Sequence, residues 1–404
     1  MRSLCTAAVS HTLGGGSGES RGRQVKGPHM SSQLETLNSS IDEVAAHFDV
    51  QLNETPAPVE EREALKAAPK FGTVFSDHMA RVTWKDGEGW TARRVEKYGP
   101  LQLDPAAAVL HYGQEIFEGL KAYRHADGSV WSFRPEENAR RYIRSARRLA
   151  LPELSVDDFI GSIAALVRTD IEWIPTGDEA ALYLRPFMIA TEAFLGVRPA
   201  LEAEHLVIAS PVGAYFSGGV HPVNIWISQD YARASRGGTG EAKCGGNYAA
   251  SLFPQIQAAR EGFDQVCFLD GQADPAIEEL GGMNVFFVKA NGDIVTPALS
   301  GSILHGVTRS SILQLIKDRD INVTEEHITL ASLKAMLESG EIAEAFACGT
   351  AAVITPIGRL ADHDFDVTIN GGEPGKTTMD IREELTDIQN GRRPDRHGWL
   401  TRLA

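Results

Sequence analysis

Cysteine is scarce: Cys5, Cys244, Cys267 and Cys348 are scattered over 404 residues and form no Cys-x-x-Cys pair. That pattern argues against a disulfide framework or a cysteine-based zinc site, and it suits a reducing cytoplasm. Also missing is any stretch approaching the roughly eighteen unbroken apolar residues of a membrane span. Basic residues are outnumbered, 39 Lys and Arg against 54 Asp and Glu, for a net charge of −15. Nucleic acid and anionic membranes select for basic surfaces, so neither is expected as a partner through the overall field. No Gly-x-Gly-x-x-Gly opens a helix, and no internal repeat is found, which disfavours a dinucleotide-binding fold and a solenoid.

What is present is an ordinary globular composition, 43% hydrophobic and 23% charged, at a length sufficient for two domains. Residues 1–30 stand apart. They contain the linker-like Gly14-Gly-Gly-Ser-Gly18 and carry four basic residues against one acidic. They are expected to be a disordered, appended leader ending near Met30, with a misplaced start codon or a transit peptide as the alternatives. From Ser31, Leu34, Leu37, Ile41, Val44 and Phe48 fall at helical spacing behind a capping box of Ser40 and Glu43. Residues 51–70, with Pro56, Pro58 and Pro69, read as linker, so the catalytic body is expected to begin near Phe71.

Beyond Phe71, strand patterns fall at Met79–Trp84, Ala180–Ile189 and Glu204–Ala209, and Asp127-Gly128 marks a hairpin between Lys121–Arg124 and Val130–Phe133. Helices are expected from Pro135 to Ala150 and from Ser155 to about Asp170. The first of these carries five arginines, of which Arg141 and Arg148 flank one side of its apolar stripe. The glycine-rich passage after Val212 suggests a domain crossing, dividing a small α/β domain at 71–212 from a larger one at 231–404. In the second half, strands at Val223–Ser228, Gln265–Leu269, Asn284–Val288 and Ala351–Ile354 alternate with helices near 249–261, 308–318 and 330–339. Asn291-Gly292 adds a hairpin, so the second sheet is not purely parallel.

One segment invites chemistry. Between Gly237 and Gly246 five glycines surround a single lysine, Lys243, so backbone can approach closely whatever that lysine touches. An amine held this way and shielded from water is available as a nucleophile toward a carbonyl, which suggests Schiff-base chemistry; a solvated surface loop is the alternative. A nucleotide-binding loop is excluded, because Ala242 and Cys244 stand where glycine and a hydroxyl residue are needed.

The run Glu241-Ala-Lys-Cys-Gly-Gly-Asn-Tyr248 closely resembles the cofactor-lysine segment of the branched-chain-amino-acid aminotransferases, pyridoxal-phosphate enzymes of fold type IV. Further matches follow in the family's order. They are Phe71 to Met79, His111-Tyr112, Phe117-Glu-Gly119, Tyr183 to Pro186, Gly213 to Phe216, Glu279 to Asn284, Gly306 to Arg309 and Gly349-Thr-Ala351. The resemblance runs from about residue 71 nearly to the end of the chain. It implies an α/β (α+β type) two-domain architecture with mixed sheets, like that of D-amino-acid aminotransferase, whose larger domain binds pyridoxal 5′-phosphate. The implied reaction is transamination of leucine, isoleucine and valine with 2-oxoglutarate, in branched-chain amino-acid biosynthesis or breakdown.

Residue roles carry over by the same resemblance. Lys243 is the Schiff-base lysine and proton shuttle, Glu279 rather than the adjacent Glu278 holds the pyridine nitrogen, and Tyr248 bonds the cofactor's phenolic oxygen. Arg141, Arg233, Val307, Thr308 and Thr350 are implied phosphate contacts, and the Val307 and Thr308 amides would open a helix, where unpaired N–H groups favour an anion. Phe71, Tyr112, Phe117, Tyr183 and Tyr215 match the substrate side-chain pocket. Tyr112, Thr350 and Ala351 match its carboxylate site. Arg185 matches the residue that admits glutamate's second carboxylate, and Val197 would reach the site of the neighbouring subunit in a homodimer. Two features depart from animal members of the family: Gly282 replaces a threonine, and Ala352 and Thr355 replace a redox cysteine pair. A D-amino-acid aminotransferase, an aminodeoxychorismate lyase and a silent ligand-binding homologue are the alternatives.

Overall fold

The computed structural model describes residues 35–69, 71–213 and 219–404; the expected leader and Tyr215 lie outside them. The helix α1 (Ile41–Ala46) starts at the capping box, in which Ser40 N–H donates to the Glu43 carboxylate at 2.9 Å and Glu43 N–H to the Ser40 hydroxyl at 3.3 Å. Val44 and Phe48 are buried, and Gly161 allows the contact: a Cβ there would lie 2.6 Å from the Val44 carbonyl oxygen. The packed fold therefore begins well before Phe71. The expected linker also contains a helix, α2 (Val59–Ala67), because Pro58 stands at its N-cap, where a missing N–H costs nothing, rather than inside it.

The first sheet holds β1 (Asp49–Val50), β2 (His78–Lys85), β3 (Gly89–Lys97), β4 (Glu115–Phe117), β5 (Leu120–Arg124), β6 (Val130–Phe133), β7 (Ala181–Ala190) and β8 (Glu202–Val212). Its order is β1-β3-β2-β8-β7-β5-β6, with the strand Leu400–Arg402 from the end of the chain closing the edge beside β6. β4 and β5 lie end to end along the same edge of β7. Strand period places Tyr183, Arg185 and Phe187 on one face of β7 and buries Leu182, Leu184 and Met188 on the other. The short helix α3 (Ala108–Tyr112) precedes β4, and α4 (Pro135–Arg148) and α5 (Val156–Thr169) pack on the sheet.

The second sheet holds β9 (Val223–Ser228), β10 (Gln265–Leu269), β11 (Ile277–Leu280), β12 (Asn284–Lys289), β13 (Ile294–Pro297), β14 (Val323–Glu326), β15 (Ile342–Gly349), β16 (Val353–Ala361) and β17 (Asp366–Thr368). The order is β11-β10-β9-β16-β15-β12-β13-β14, with β17 also on β16. Parallel pairs (β9 with β10 and β16, β13 with β14) stand beside antiparallel ones (β10 with β11, β15 with β16 and β12, β12 with β13), so the mixed sheet expected from the Asn291-Gly292 hairpin is observed. Its helices are α6 (Gly245–Arg260), α7 (Val307–Asp318), α8 (Leu330–Glu338) and α9 (Lys376–Gln389). The expected strand at Ala351–Ile354 begins only at Val353 and continues to Ala361, because residues 350–352 form the turn from β15. One apolar cluster joins the halves, setting Tyr123, Phe133 and Ala181 of the first against Phe286, Ile312, Ile354 and Ile381 of the second. No helix among the described residues is long and apolar enough to cross a membrane.

Candidate active site

Lys243 occupies the last residue but one before α6, where the glycine-rich loop is pinned from several sides. Its N–H donates to the Ser145 hydroxyl of α4 at 2.9 Å, and its carbonyl accepts the Phe117 N–H of β4 at 2.9 Å. Asn247 fastens the loop internally through its amide to the Ala242 carbonyl at 2.8 Å. The side chain is thus aimed inward: Nζ donates to the Tyr248 hydroxyl at 2.6 Å and lies 4.8 Å from the Phe117 ring centroid.

The opposite wall carries Glu279 on β11. Strand alternation sends Glu279 to the cavity, while Glu278 turns the other way to accept the Ser302 hydroxyl. Glu279 takes Arg233 Nη2 at 2.5 Å, the Leu304 N–H at 2.9 Å and the Asn284 amide at 3.3 Å. Burial nevertheless pushes its carboxyl up to about 7, against the pull of Arg233, the Leu304 N–H and Lys243.

Behind the lysine lies a fully buried ion pair. Arg141 of α4 binds Glu118 through Nε and Nη2, both at 2.8 Å, and donates from Nη1 to the His305 carbonyl at 3.1 Å. Burial alone would raise the Glu118 carboxyl, but the charge and hydrogen bonds of Arg141, with help from Lys243 and Asn138, hold it below the ordinary range. Removing one partner of such a pair costs about 3–5 kcal/mol, since the other is left as a buried bare charge. Gly119 is required beside it: any Cβ there would collide with the Tyr183 hydroxyl.

Two backbone features complete the polar end. α7 opens at the cavity with Val307 and Thr308, and no side chain caps it, so its first-turn amides are available to an anion. The Gly349-Thr350-Ala351 turn faces it, held from behind by the buried Lys121, whose Nζ donates to the Ala351 carbonyl at 3.0 Å. The other end is aromatic. Phe71 packs edge-on to Tyr183 at 5.2 Å, and the Arg185 guanidinium lies 4.9 Å from the Phe117 ring centroid and donates to the Tyr183 hydroxyl at 3.0 Å.

These residues enclose one cavity of about 220 Å³. It brings together Lys243, Tyr248, Glu279, Arg141, Val307, Thr308, Thr350, Ala351, Phe71, Phe117, Tyr183 and Arg185. Among the described residues, three expected ones are not on its lining. Arg233 stands behind Glu279, drawn there by that carboxylate and by the carbonyls of Gly240 and Ser302. Tyr112 is half-exposed, with its hydroxyl on the Leu195 carbonyl, and Val197 is 88% exposed. Glu118, Asn138 and Lys121 were not anticipated as site residues, although Glu118 stands inside the quoted Phe117-Glu-Gly119 motif. Cys348 also lines the cavity, where burial pushes its thiol up to about 12, so it is not a nucleophile.

An inward lysine amine, a buried carboxylate and an uncapped helix N-terminus on one cavity suit a compound that carries a carbonyl carbon, a proton-bearing cationic group and an anionic end. The chain belongs to the class IV aminotransferases: that family's model matches residues 115–360. Within this class it is similar to the branched-chain-amino-acid aminotransferase of Mycolicibacterium smegmatis, 54% identical over 360 residues that cover 88% of this chain and 98% of that protein. Among solved structures it is similar to the branched-chain amino acid aminotransferase of Escherichia coli (TM-score 0.67, 28% identity, 80% of this chain and all of that one). It is also similar to that of Thermobaculum terrenum in its PLP-bound holo-form (TM-score 0.64, 25% identity, 80% and 98% covered).

Proposed function

We propose that this chain is a pyridoxal-phosphate-dependent branched-chain-amino-acid aminotransferase, which exchanges the amino group of leucine, isoleucine or valine with 2-oxoglutarate. The observation that carries this reading is a single cavity holding the Lys243 amine, the Glu279 carboxylate and the open end of α7 beside an aromatic pocket with one guanidinium. When bound, the cofactor supplies a carbonyl carbon that receives the donor's amino group and a protonated ring that draws electrons from it. Val307 and Thr308 N–H groups, the Thr350 hydroxyl and Arg141 would hold its phosphate, and Glu279 its ring-nitrogen proton. The raised carboxyl of Glu279 suits that task, because a cationic N–H replaces lost water with a charge partner.

Lys243 Nζ takes the proton from the donor's α-carbon and returns it on the other side of the reaction, with Tyr248 keeping the amine in place between the two positions. The Thr350 and Ala351 amides hold the substrate carboxylate. Phe71, Phe117 and Tyr183 exclude water around a branched side chain, and Arg185 meets the second carboxylate of glutamate. Tyr112 and Val197 serve the site of a neighbouring subunit in a homodimer, a role supported by their exposure and by the bond that ties Tyr112 to Leu195. A cytoplasmic location is part of the same reading, supported by three buried, unbridged thiols at Cys244, Cys267 and Cys348. The test is glutamate formation from 2-oxoglutarate with L-leucine, L-isoleucine, L-valine and D-alanine as donors. The three branched L-amino acids should be used at comparable efficiency; preferential use of D-alanine would overturn the assignment.

A further inference from the structure

Glu115 and Phe117 occupy alternate positions on β4 and share a face, opposite Ile189 and Phe187 of β7. Arg185 follows Phe187 on that same face, and its guanidinium lies over the Phe117 ring. The Glu115 carboxylate, half-buried, accepts the N–H of Gly245, the first residue of α6 and the second after Lys243. α6 has no cap from its own N-cap residue, Cys244. With the Phe117 N–H on the Lys243 carbonyl, β4 therefore grips the lysine's loop at two points. Arg185 meanwhile is undersupplied: Nη2 reaches the Tyr183 hydroxyl, and Nε is buried without a hydrogen-bond partner. Burial raises the Glu115 carboxyl, while the Gly245 N–H and the charge of Arg185 pull the other way.

We propose that Glu115 is a positioning and specificity residue, capping the helix that follows Lys243 and acting as the resident counter-charge of Arg185. The inference rests on the proposed function, in which Arg185 faces the substrate's side chain. With leucine in the pocket the substrate offers no charge, and a guanidinium among aromatic rings needs a compensating anion. With glutamate, the substrate's distal carboxylate enters beside Arg185 on the sheet face that also carries Glu115, and the two anions repel each other. Glu115 thus keeps Arg185 tolerable to apolar substrates and restrains the affinity for dicarboxylates, drawing the two substrate classes closer together.

Two substitutions in the holoenzyme separate its roles. Glu115→Gln keeps an oxygen that can accept the Gly245 N–H but removes the charge. The KM for glutamate and for 2-oxoglutarate should then fall about threefold to tenfold, an effect that shrinks with added salt, while the KM for leucine stays within about twofold. In an Arg185→Met background the same change should move no KM selectively. Glu115→Leu also removes the acceptor and should lower kcat with leucine and glutamate alike by about tenfold, as loss of a helix cap displaces the lysine's loop. An E115Q enzyme whose leucine and glutamate KM values stay put, or shift together, overturns the inference. A wild-type enzyme that uses no glutamate or 2-oxoglutarate at all would instead overturn the functional reading beneath it.

Discussion

Lys121 reaches across the molecule, from β5 to the carbonyl of Ala351 at 3.0 Å, and so holds in place the turn that would grip the substrate carboxylate. Its ammonium is buried, and burial pulls its pKa down to about 8, with Glu179 opposing and Arg382 adding to the shift. The unfolded chain keeps this proton up to an ordinary value near 10.4. Between those values the unfolded state binds more protons, so the stability contributed by this residue rises with pH across the window, and that gain is lost again as pH falls toward 8. The full swing is about 3 kcal/mol. Denaturant unfolding of wild type and Lys121→Met at pH 7.5 and pH 10 should therefore show wild type gaining on the variant by about 2 kcal/mol at the higher pH. Parallel pH dependence in the two proteins would mean that folding does not lower the affinity of Lys121 for its proton.

At the scale of elements, what could be read from the sequence followed local rules. The capping box at Ser40 and Glu43, the Asp127-Gly128 and Asn291-Gly292 hairpins and the stripe of α4 all depend on residues a few positions apart, and all are present. β3 escaped because Gly89–Lys97 alternates poorly, with Arg93 and Arg94 adjacent and partly buried, the first on Asp158 of α5 and the second on Glu96 of the same strand. α9 escaped because its start, Gly375, is set by a distant residue: Glu344 accepts the Thr377 and Thr378 N–H groups at 3.0 and 2.8 Å in place of a local cap. The site divides the same way. Lys243, Glu279 and Tyr248 sit in contiguous motifs. The Glu118–Arg141 pair and the turn of Arg233 toward Glu279 depend on contacts between segments far apart in the chain, which no local pattern encodes.

For the whole molecule, the cavity lies where the two sheets meet, and the end of the chain ties them together. After α9 the chain runs back to the first sheet as Leu400–Arg402, paired with β6, while Glu384 of α9 receives Arg319, Arg393 and Arg396 at 2.7, 3.2 and 3.0 Å. Leu195 and Val197 remain exposed beyond this body, at 63% and 88%, which suits a surface covered in a homodimer. Light scattering should give twice the chain mass. Val197→Glu should raise the KM for leucine by about tenfold while leaving the absorbance of the bound cofactor unchanged. A fully active monomer would remove Val197 and Tyr112 from the site.

The most direct measurement is a single turnover without acceptor. Holoenzyme mixed with excess L-leucine should lose the visible band of its cofactor and release close to one equivalent of 4-methyl-2-oxopentanoate per site, and excess 2-oxoglutarate should then restore the band and yield glutamate. Lys243→Ala, still able to bind cofactor through α7 and Arg141, should slow the first step by at least about a thousandfold, because the proton at the α-carbon has lost its carrier. Release of the branched 2-oxo acid by the alanine variant at the wild-type rate, or failure of the wild-type protein to release it at all, would contradict the assignment.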